Sequence, residues 1–341
     1  MRTTVGFALA LLLVVLRAGA DDAGPAFDVE ANARLLVIAP HPDDETLGAG
    51  GLIERVRAKG GTVRVVLITA GDGFLEAVAH ETGQPRPLPA SFIAYGQHRL
   101  REARAALRVI DRDARFEVLG FPDGGLTELL QAHWWRSRPE RSRFTGASDP
   151  PYDDTALEPD LPYDGDDLRA ELERLMHHTR PTIVALPDPL DRHPDHRAAG
   201  LFTLLAIADW SAAHPTAPRP QLLAYLVHWP DWPPGWDAHE PQARPDQRLE
   251  LPPAAAHAGG LQVSLVLTDQ EIAAKLAALE KYRTQMAIMA PFLTAFVRRT
   301  EPFTVLDFAE TGRVADAIER AVTPLPHRHP SPPPRHGPSR R

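Results

Sequence analysis

Short apolar runs alternate with longer amphipathic stretches along most of the chain. The apolar run at residues 35–39 (LLVIA) is followed by an amphipathic stretch at 46–59 and by a second apolar run at 63–69 (VRVVLIT). Apolar runs of this length, bounded by turn residues, are typical of buried strands, whereas apolar positions that recur every three to four residues are typical of helices. This part of the chain therefore predicts a strand, a helix and a second strand.

The alternation continues toward the C-terminus. Thr268 and Glu271 have the spacing of a capping box, which predicts the start of a helix that reaches Gln285. Strands that alternate with helices form parallel sheets covered on both faces. The predicted fold is therefore α/β, a Rossmann-like three-layer sandwich with a mostly parallel central sheet. The other predicted elements are helices at residues 97–110, 166–179 and 196–210 and strands at 116–119, 182–186, 222–227 and 261–267.

The two ends of the chain fall outside this alternation. Residues 1–20 place Arg2 before an apolar run and end in small residues, which is typical of a secretory signal peptide cleaved after about Ala20. A membrane-spanning helix needs about 20 apolar residues, more than this run has, so we favour cleavage over an uncleaved anchor and expect a secreted or periplasmic protein. Residues 324–341 are rich in proline and arginine and lack acidic residues, so we expect a disordered tail.

The region between the ends, residues 21–323, is predicted to be one domain with two loop insertions. The insertions lie near residues 131–165 and 229–258, where proline and other turn residues interrupt the periodic pattern. Their tryptophans suit two roles, as apolar anchors of the loops, which we favour, or as flat surfaces for sugar rings. These tryptophans are Trp134, Trp135, Trp229, Trp232 and Trp236.

The charge and the cysteine content limit the partners and the metal ligands that are available to the chain. The chain has 37 lysine and arginine residues against 45 aspartate and glutamate residues, a formal charge of −8, which argues against a nucleic-acid partner. It contains no cysteine, so disulfides do not stabilise it even if it is exported. A bound metal would therefore be held by histidine and carboxylate side chains and not by thiolates.

Histidine and aspartate are concentrated in two loops that follow predicted strands. Residues 40–51 (PHPDDETLGAGG) follow the first strand, and residues 187–196 (PDPLDRHPDH) follow the strand at 182–186. Either loop alone fits ordinary turn and capping chemistry. Ligands of such folds bind beyond the carboxyl ends of the strands, so the two loops together indicate one site. Clustered carboxylates raise one another's pKa unless a cation compensates them, and the pair of loops therefore predicts a metal site.

The glycines after the first loop have a different interpretation. Gly48, Gly50 and Gly51 resemble part of a dinucleotide-binding motif, but the segment before them is acidic, whereas a pyrophosphate needs free backbone N–H groups and positive potential. We interpret these glycines as positions of close helix-to-sheet packing.

The two loops together resemble those of the PIG-L/LmbE-type zinc-dependent N-acetylglucosaminyl deacetylases. The resemblance spans most of residues 34–303, and the paired HPDDE and HPDH motifs are highly specific. It implies that His41, Asp44 and His196 hold Zn²⁺, with another divalent metal such as Fe²⁺ as the alternative. The matching segments are PHPDDE at 40–45 and DRHPDH at 191–196, with weaker support from RLRE at 99–102, GFPDGGL at 120–126 and KLAALEKYRTQ at 275–285.

The resemblance also implies roles in catalysis. Asp43 would be the general base, and His193 would be the second catalytic group, facing the developing oxyanion or protonating the leaving amine. Zinc lowers the pKa of a bound water to about 7 and polarises the amide carbonyl, which is the chemistry that these groups assist. Asp195 suits a third role, holding the His193 imidazole in the right tautomer; the alternative is a helix N-cap.

Substrate contacts are implied for Arg99 and Asp123, which would reach sugar hydroxyls or a distal group. Arg99 has the alternative of pairing with Glu102, one helical turn further on. Asp191 suits either orienting His196 or capping its loop. In the mycothiol-pathway branch of the family a tyrosine occupies the place of Asp191, and its absence argues against that substrate. Five other histidines are expected to be structural or solvated: His98, His133, His177, His178 and His228.

The predicted function is that of an exported, metal-dependent hydrolase. It would remove the N-acetyl group from an N-acetylglucosamine-type amino sugar or its conjugate by attack of zinc-bound water. The alternatives are a metal-dependent amidase of another N-acylated small molecule or glycopeptide, and a non-catalytic glycan-binding module. Asp43 and His193 favour an enzyme, since a binding module needs neither. The expected partner is thus an N-acetylated amino sugar or glycoconjugate, without nucleic acid and without stable membrane insertion after signal cleavage.

Overall fold

The structure is a computed structural model that describes residues 25–152, 155–257 and 260–322. The predicted signal peptide (1–20) and tail (324–341) lie outside the described residues. The described strands are β1 (Ala26–Phe27), β2 (Arg34–Ala39), β3 (Thr62–Thr69), β4 (Arg115–Phe121), β5 (Ile183–Pro187), β6 (Gln221–Tyr225), β7 (Leu261–Val266) and β8 (Thr300–Leu306).

These strands form one sheet in the order β1-β7-β8-β6-β5-β2-β3-β4. Neighbouring strands pair in parallel except at β8, which is antiparallel to both β6 and β7. The predicted mostly parallel sheet is confirmed. The chain moves outward from β2 to β3 and β4 and then crosses back to β5 and β6, so the strand order reverses between β2 and β5. Such a reversal opens a crevice at the carboxyl ends of the two strands.

Helices cover both faces of the sheet. Alternate side chains of β2 enter two separate apolar cores, Leu35 and Val37 on one face and Leu36 and Ile38 on the other. This confirms the predicted three layers, because a strand buried on both faces is apolar at successive positions. The described helices are α1 (Asp44–Ala58), α2 (Leu75–Thr82), α3 (Pro89–Ile110), α4 (Leu126–Gln131), α5 (Gly165–Thr179), α6 (Pro194–Ala213), α7 (Asp269–Leu279), α8 (Arg283–Ala295) and α9 (Phe308–Val322), with a short 3₁₀ turn at Pro253–Ala255. None of these described helices has the length and apolar character that a membrane crossing requires.

The C-terminal part of the domain differs from the sequence prediction. The capping box of Thr268 and Glu271 is present at the start of α7, but the helix predicted to reach Gln285 ends at Leu279, and α8 begins after a short break. Strand β8 was not predicted, since Glu301 and Pro302 interrupt its apolar pattern. It is buried because β6 and β7 pair with it on both sides.

Two tryptophans anchor the insertion loops. Trp134 is buried and stacks on Phe202 of α6, with ring centroids 5.9 Å apart. The Trp232 side chain is buried as well, and its Nε1 donates a hydrogen bond to the carbonyl of Glu250. For these two residues the structure agrees with the anchoring role.

Helix α1 is broken one turn after its start. Ala49 has non-helical backbone angles, and the Glu301 carboxylate accepts hydrogen bonds from the N–H groups of Gly51 (2.8 Å) and Leu52 (2.9 Å) at the start of the second half. The buried Lys275 ammonium donates to the carbonyl of Leu47 in the first half (2.8 Å) and pairs with Glu301 (2.7 Å). This buried ion pair therefore satisfies the backbone groups that the break leaves open.

Close packing accounts for a glycine at the same break. A Cβ atom at Gly48 would lie 2.3 Å from the ring of Tyr225 in β6. Only a residue without a side chain lets α1 approach the sheet this closely, which agrees with the packing interpretation of the glycines.

Replacement of Lys275 by methionine is expected to lower the free energy of unfolding by about 3 to 5 kcal/mol, because it leaves the Glu301 charge buried without a partner. Urea denaturation measures this change. The double substitution Lys275→Met/Glu301→Gln should recover part of the loss, and the exposed control Lys281→Met should change the free energy by less than about 0.5 kcal/mol. A cost below about 1 kcal/mol for Lys275→Met would contradict the role of the pair.

Candidate metal and catalytic site

A cleft of about 320 Å³ opens at the carboxyl edge of the sheet, above β2 and β5. Its floor consists of the loops that follow these two strands, and its walls come from the loops after β3, β4 and β6 and from α8. The sequence prediction that the two His/Asp loops meet is confirmed. The charged and histidine side chains that line the cleft are His41, Asp43, Asp44, Arg99, Asp123, Arg143, His193 and His228.

Asp44 lies between the other two predicted metal ligands at this floor. Among the described residues, the groups whose ligand atoms all lie within 4.8 Å of one another are His41/His193/His196, Asp44/His196/His228 and His41/Asp123/Asp195, and none of them contains all three predicted ligands. The Oδ2 atom of Asp44 is 3.2 Å from Nδ1 of His41 and 3.1 Å from Nε2 of His196. All three side chains are buried. Burial raises the pKa of Asp44, but His196 and His41 outweigh it and hold that pKa well below its usual value. The carboxylate is therefore ionised, as a metal ligand must be.

The donor atoms fit a divalent metal. Ligand atoms about 2.0 to 2.2 Å from a tetrahedral ion lie about 3.3 to 3.6 Å apart, close to the distances around Asp44. Among the described residues, neither ring nitrogen of His196 has a hydrogen bond of acceptable geometry, although both are buried. Its Nε2 faces Asp44, and its Nδ1 lies 3.3 Å from Asp191, an arrangement typical of a histidine ligand that a carboxylate orients. Two histidines and one carboxylate suit Zn²⁺ and also Fe²⁺, so the identity of the metal stays a prediction.

Without a metal, the site retains protons. Burial lowers the pKa of His196, but the Asp44 and Asp191 carboxylates outweigh it and raise that pKa to about 9. Burial also lowers the pKa of His41, but carboxylates, Asp123 foremost, raise it well above its usual value. A metal that binds both imidazoles must therefore displace these protons.

Metal affinity is accordingly expected to fall as the pH is lowered. For each proton that the metal must displace, the apparent Kd rises about tenfold when the pH falls by one unit. With two protons, the apparent Kd rises up to about 100-fold per pH unit once the pH is below the pKa values of both histidines. Competition with a chelator of known pH dependence measures this Kd. An apparent Kd that does not change between about pH 8 and pH 6 would contradict the protonated state of the metal-free site.

Asp43, the predicted base, lies at the start of α1 with a φ of 116°, a region that non-glycine residues rarely adopt. Nη2 of Arg99 lies 3.1 Å from its Oδ2. Burial, together with the charges of Asp44 and Glu45, raises the pKa of Asp43 to about 8, although Arg99 opposes the shift. A dication beside Asp44 would add to the effect of Arg99 and lower this pKa. The carboxyl group is thus held at the cleft with a pKa near the range in which a proton acceptor works.

Arg99 pairs with Asp43 and not with Glu102, so that alternative is wrong. Its guanidinium also donates to the carbonyls of Pro42 (2.5 Å) and Gly71 (2.8 Å), whereas Glu102 accepts from Thr284 instead. Arg99 therefore holds the first loop in place, and its predicted contact with substrate stays a prediction.

Asp123, the other predicted substrate residue, lines the cleft. Its Oδ1 lies 3.2 Å from Nε2 of His41, and its Oδ2 accepts a hydrogen bond from the N–H of Gly73 (2.6 Å). Burial raises the pKa of Asp123, but the charge of His41 outweighs it and lowers the pKa below its usual value. Asp123 therefore orients His41 as well as facing the cleft.

The predicted role of Asp195 is wrong. Its carboxylate lies 3.3 Å from Nε2 of His41 and accepts hydrogen bonds from the N–H groups of Gly124 (2.6 Å) and Leu126 (3.2 Å). The Asp195 side chain turns toward these groups because the loop after β4 offers it backbone donors. His193 itself is the N-cap of α6, and its Nδ1 accepts from the backbone N–H of Asp195 (3.3 Å), so the alternative of Asp195 as N-cap is wrong too.

His193 lines the cleft close to the metal ligands, with its ring centroid 4.9 Å from that of His41 and 5.1 Å from that of His196. Because Nδ1 accepts a hydrogen bond, the proton of the neutral ring is assigned to Nε2. Burial and the charges of His41 and His196 lower the pKa of His193 to about 4. The imidazole is therefore neutral near pH 7 in the metal-free protein.

Asp191 serves both of the roles left open for it. One oxygen accepts from the N–H of His193 (2.8 Å), and the other lies 3.3 Å from Nδ1 of His196 and accepts from the N–H groups of Val227 and His228 (3.0 Å each). This fully buried carboxylate therefore ties the loop after β5 to the loop after β6.

The sequence analysis missed His228, which was expected to be structural or solvated. A ring nitrogen of His228 lies within 4.8 Å of the ligand atoms of Asp44 and His196, and the ring lines the cleft. It stacks on Phe292 of α8, with centroids 5.5 Å apart and planes 8° from parallel. The available signal was its position after the predicted strand at 222–227, at the same sheet edge as the two loops.

Comparison with known proteins bears on this site. The sequence model of the PIG-L family, described as GlcNAc-PI de-N-acetylase, matches residues 36–207, which include both loops. Among curated proteins, a 1D-myo-inositol 2-acetamido-2-deoxy-alpha-D-glucopyranoside deacetylase of Saccharopolyspora erythraea is 29% identical, covering 74% of this chain and 84% of its own length. The deacetylase of that name from Rhodococcus jostii is 28% identical over 84% of this chain and 96% of its own. Among solved structures, the N,N'-diacetylchitobiose deacetylase of Pyrococcus horikoshii is 20% identical, with coverages of 82% and 85% and a TM-score of 0.48.

Proposed function

Because the chain belongs to the PIG-L family, we propose that it is a metal-dependent hydrolase that removes the N-acyl group of an N-acetylglucosamine-type amino sugar or its conjugate. The deacetylase names of the relatives support an N-deacetylase. The observation that carries the proposal is the buried Nε2 of His196, which has no hydrogen bond of acceptable geometry among the described residues and lies 3.1 Å from Asp44, a residue that lines the same cleft as Asp43.

In this proposal His41, Asp44 and His196 hold the metal, with Zn²⁺ as the expected ion. When bound, the metal acts as a Lewis acid toward the amide carbonyl and lowers the pKa of water. Asp43 accepts the proton of the attacking water, and Arg99 keeps the Asp43 carboxylate in place through its hydrogen bond. A general base of this kind raises the reaction rate by a factor of about 10² to 10⁴.

His193 has the position of a proton donor or hydrogen-bond donor in this proposal. Its Nδ1 is occupied by a backbone N–H, so Nε2–H is the group that can face the oxygen or nitrogen of the amide. Asp123 lies at the other side of His41, where its carboxylate accepts hydrogen bonds from sugar hydroxyls. The products are the free amine of the sugar and the carboxylate of the acyl group.

Asp191 bears on the identity of the substrate. Asp191 is fully buried and holds backbone N–H groups, so in this chain it cannot take up a substrate contact, and we keep the expectation that the substrate differs from that of the mycothiol pathway.

We also propose that the protein is exported through residues 1–20. Fractionation of cells that express the chain with a C-terminal tag tests the export: a full-length protein confined to the cytoplasm would contradict it.

Release of carboxylate from N-acetylglucosamine, N,N'-diacetylchitobiose and other N-acylated amino sugars tests the enzymatic activity. We expect turnover that a chelator abolishes and that Zn²⁺ or Fe²⁺ restores. Turnover of an N-acylated amine that is not a sugar, without turnover of any sugar amide, would favour the amidase alternative. Sugar binding without turnover in the metal-loaded protein would favour a glycan-binding module.

A further inference from the structure

The two ends of the cleft differ in chemical character. A row of contacts runs from Asp123 to His41 (3.2 Å), from His41 to Asp44 (3.2 Å) and from Asp44 to His196 (3.1 Å). The row continues from His196 to His228, whose ring centroids are 4.7 Å apart, and ends on the stacked ring of Phe292. The metal ligands thus lie in the middle of the cleft, between Asp123 at one end and Phe292 at the other.

The end at Asp123 combines polar groups with the ring of Phe144, which lies beside Gly73 and Gly124. Asp123 contributes a carboxylate, the exposed guanidinium of Arg143 lines the same end, and a second cavity of about 260 Å³ continues from it. The wall of this cavity includes Glu128, Glu140 and Ser142. Hydroxyl groups find hydrogen-bond donors and acceptors here, so the sugar part of a substrate fits this end.

The end at Phe292 is apolar. Val227, Met289, Phe292 and Leu293 line it, and the His228 ring stacks on Phe292. Helix α8 is broken at Met289, two residues before Pro291, because proline lacks the N–H of the helical hydrogen bond and its ring crowds the preceding turn. The break leaves Met289 and Phe292 half-buried at the cleft, and the unbranched thioether of Met289 adapts to ligands of different shape.

An amide held at the metal ligands has its sugar on one side and its acyl group on the other. With the sugar at the Asp123 end, the acyl group points to the apolar end, whose four side chains offer more surface than a methyl group covers. We propose that this chain removes N-acyl groups longer than acetyl, with the acyl chain lying against Met289 and Phe292. The inference rests on the proposed function and specifies its substrate class. Water adds across the amide, the C–N bond breaks, the carbonyl carbon leaves as a carboxylate, and the nitrogen leaves as an ammonium group.

Hydrolysis of N-acetyl-, N-butanoyl- and N-hexanoyl-glucosamine by the metal-loaded full chain tests the proposal. Burial of a methylene raises kcat/KM about fourfold, which is about 0.8 kcal/mol, and butanoyl has two more methylenes than acetyl, so we expect kcat/KM for the butanoyl substrate to exceed that for the acetyl substrate about 15-fold. Met289→Trp fills the pocket and should remove this preference, so that kcat/KM for the butanoyl substrate no longer exceeds that for the acetyl substrate. The matched control Ile288→Trp changes the adjacent, exposed residue outside the cleft and should keep the preference.

A second measurement does not depend on turnover. Calorimetric titration of the metal-loaded protein with acetate, butanoate and hexanoate should show tighter binding of the longer carboxylates, and Met289→Trp should abolish the difference. Equal or weaker binding of hexanoate than of acetate, or a preference for the acetyl substrate, would overturn the inference. Absence of turnover on every sugar amide, with hexanoate still bound more tightly, would contradict the proposed function but leave the apolar pocket supported.

Discussion

Replacement of Asp43 by asparagine is expected to lower kcat/KM by about 10² to 10⁴ and to leave the bound metal in place. The amide keeps the shape of the side chain, and asparagine tolerates the positive φ of this position, but it does not accept a proton from water. The predicted metal ligands His41, Asp44 and His196 are unchanged. Steady-state kinetics on an N-acylated amino sugar, together with elemental analysis of the same preparation, measures both quantities.

A matched control separates this effect from the general cost of changing a buried carboxylate. Asp111 is as buried as Asp43 but lies at the C-terminal end of α3, just before β4 begins, at the sheet edge opposite the cleft. Asp111→Asn should therefore keep kcat/KM within about threefold. A loss below tenfold for Asp43→Asn with full metal content would remove Asp43 from the role of base.

Replacement of His196 by alanine is expected to remove the metal and, with it, the activity. The substitution deletes one of the three predicted protein ligands, and it also deprives the buried Asp44 and Asp191 carboxylates of their shared partner. Loss of a group that merely orients a ligand costs about 10- to 100-fold in metal affinity, so loss of the ligand itself should cost more than about 100-fold. Elemental analysis after dialysis and a chelator-competition Kd measure the change.

Two companion variants keep this prediction testable if the alanine variant is unstable. Asp191→Asn retains all three ligands and should weaken metal binding by about 10- to 100-fold. The exposed His178→Ala, in the last turn of α5 just before β5 begins and so at the sheet edge opposite the cleft, should retain the metal in full. Full metal content in a folded His196→Ala protein would show that other residues, such as His41 and His228, suffice to hold the ion.

Comparison of predicted and observed elements shows where sequence reasoning succeeds. The strands at 35–39, 63–69 and 182–186 were predicted within two residues at each end, because their burial on both faces makes most of their positions apolar. The capping box at Thr268 is equally local, since its partners lie three residues apart. The sequence prediction failed at β8, whose polar Glu301 is tolerated only because Lys275 and the broken end of α1 satisfy it.

The sequence by itself determined the parallel strands around the site, the convergence of the two His/Asp loops and the ligand types available to a metal. These follow from local patterns of burial and from the rule that parallel strands end at one edge. Only the tertiary structure decided the partners of each side chain there. The Asp195 carboxylate contacts His41 and not His193, Arg99 pairs with Asp43, and His228 lies at the cleft. The sequence does not show these contacts because the fold places residues that are far apart along the chain next to one another.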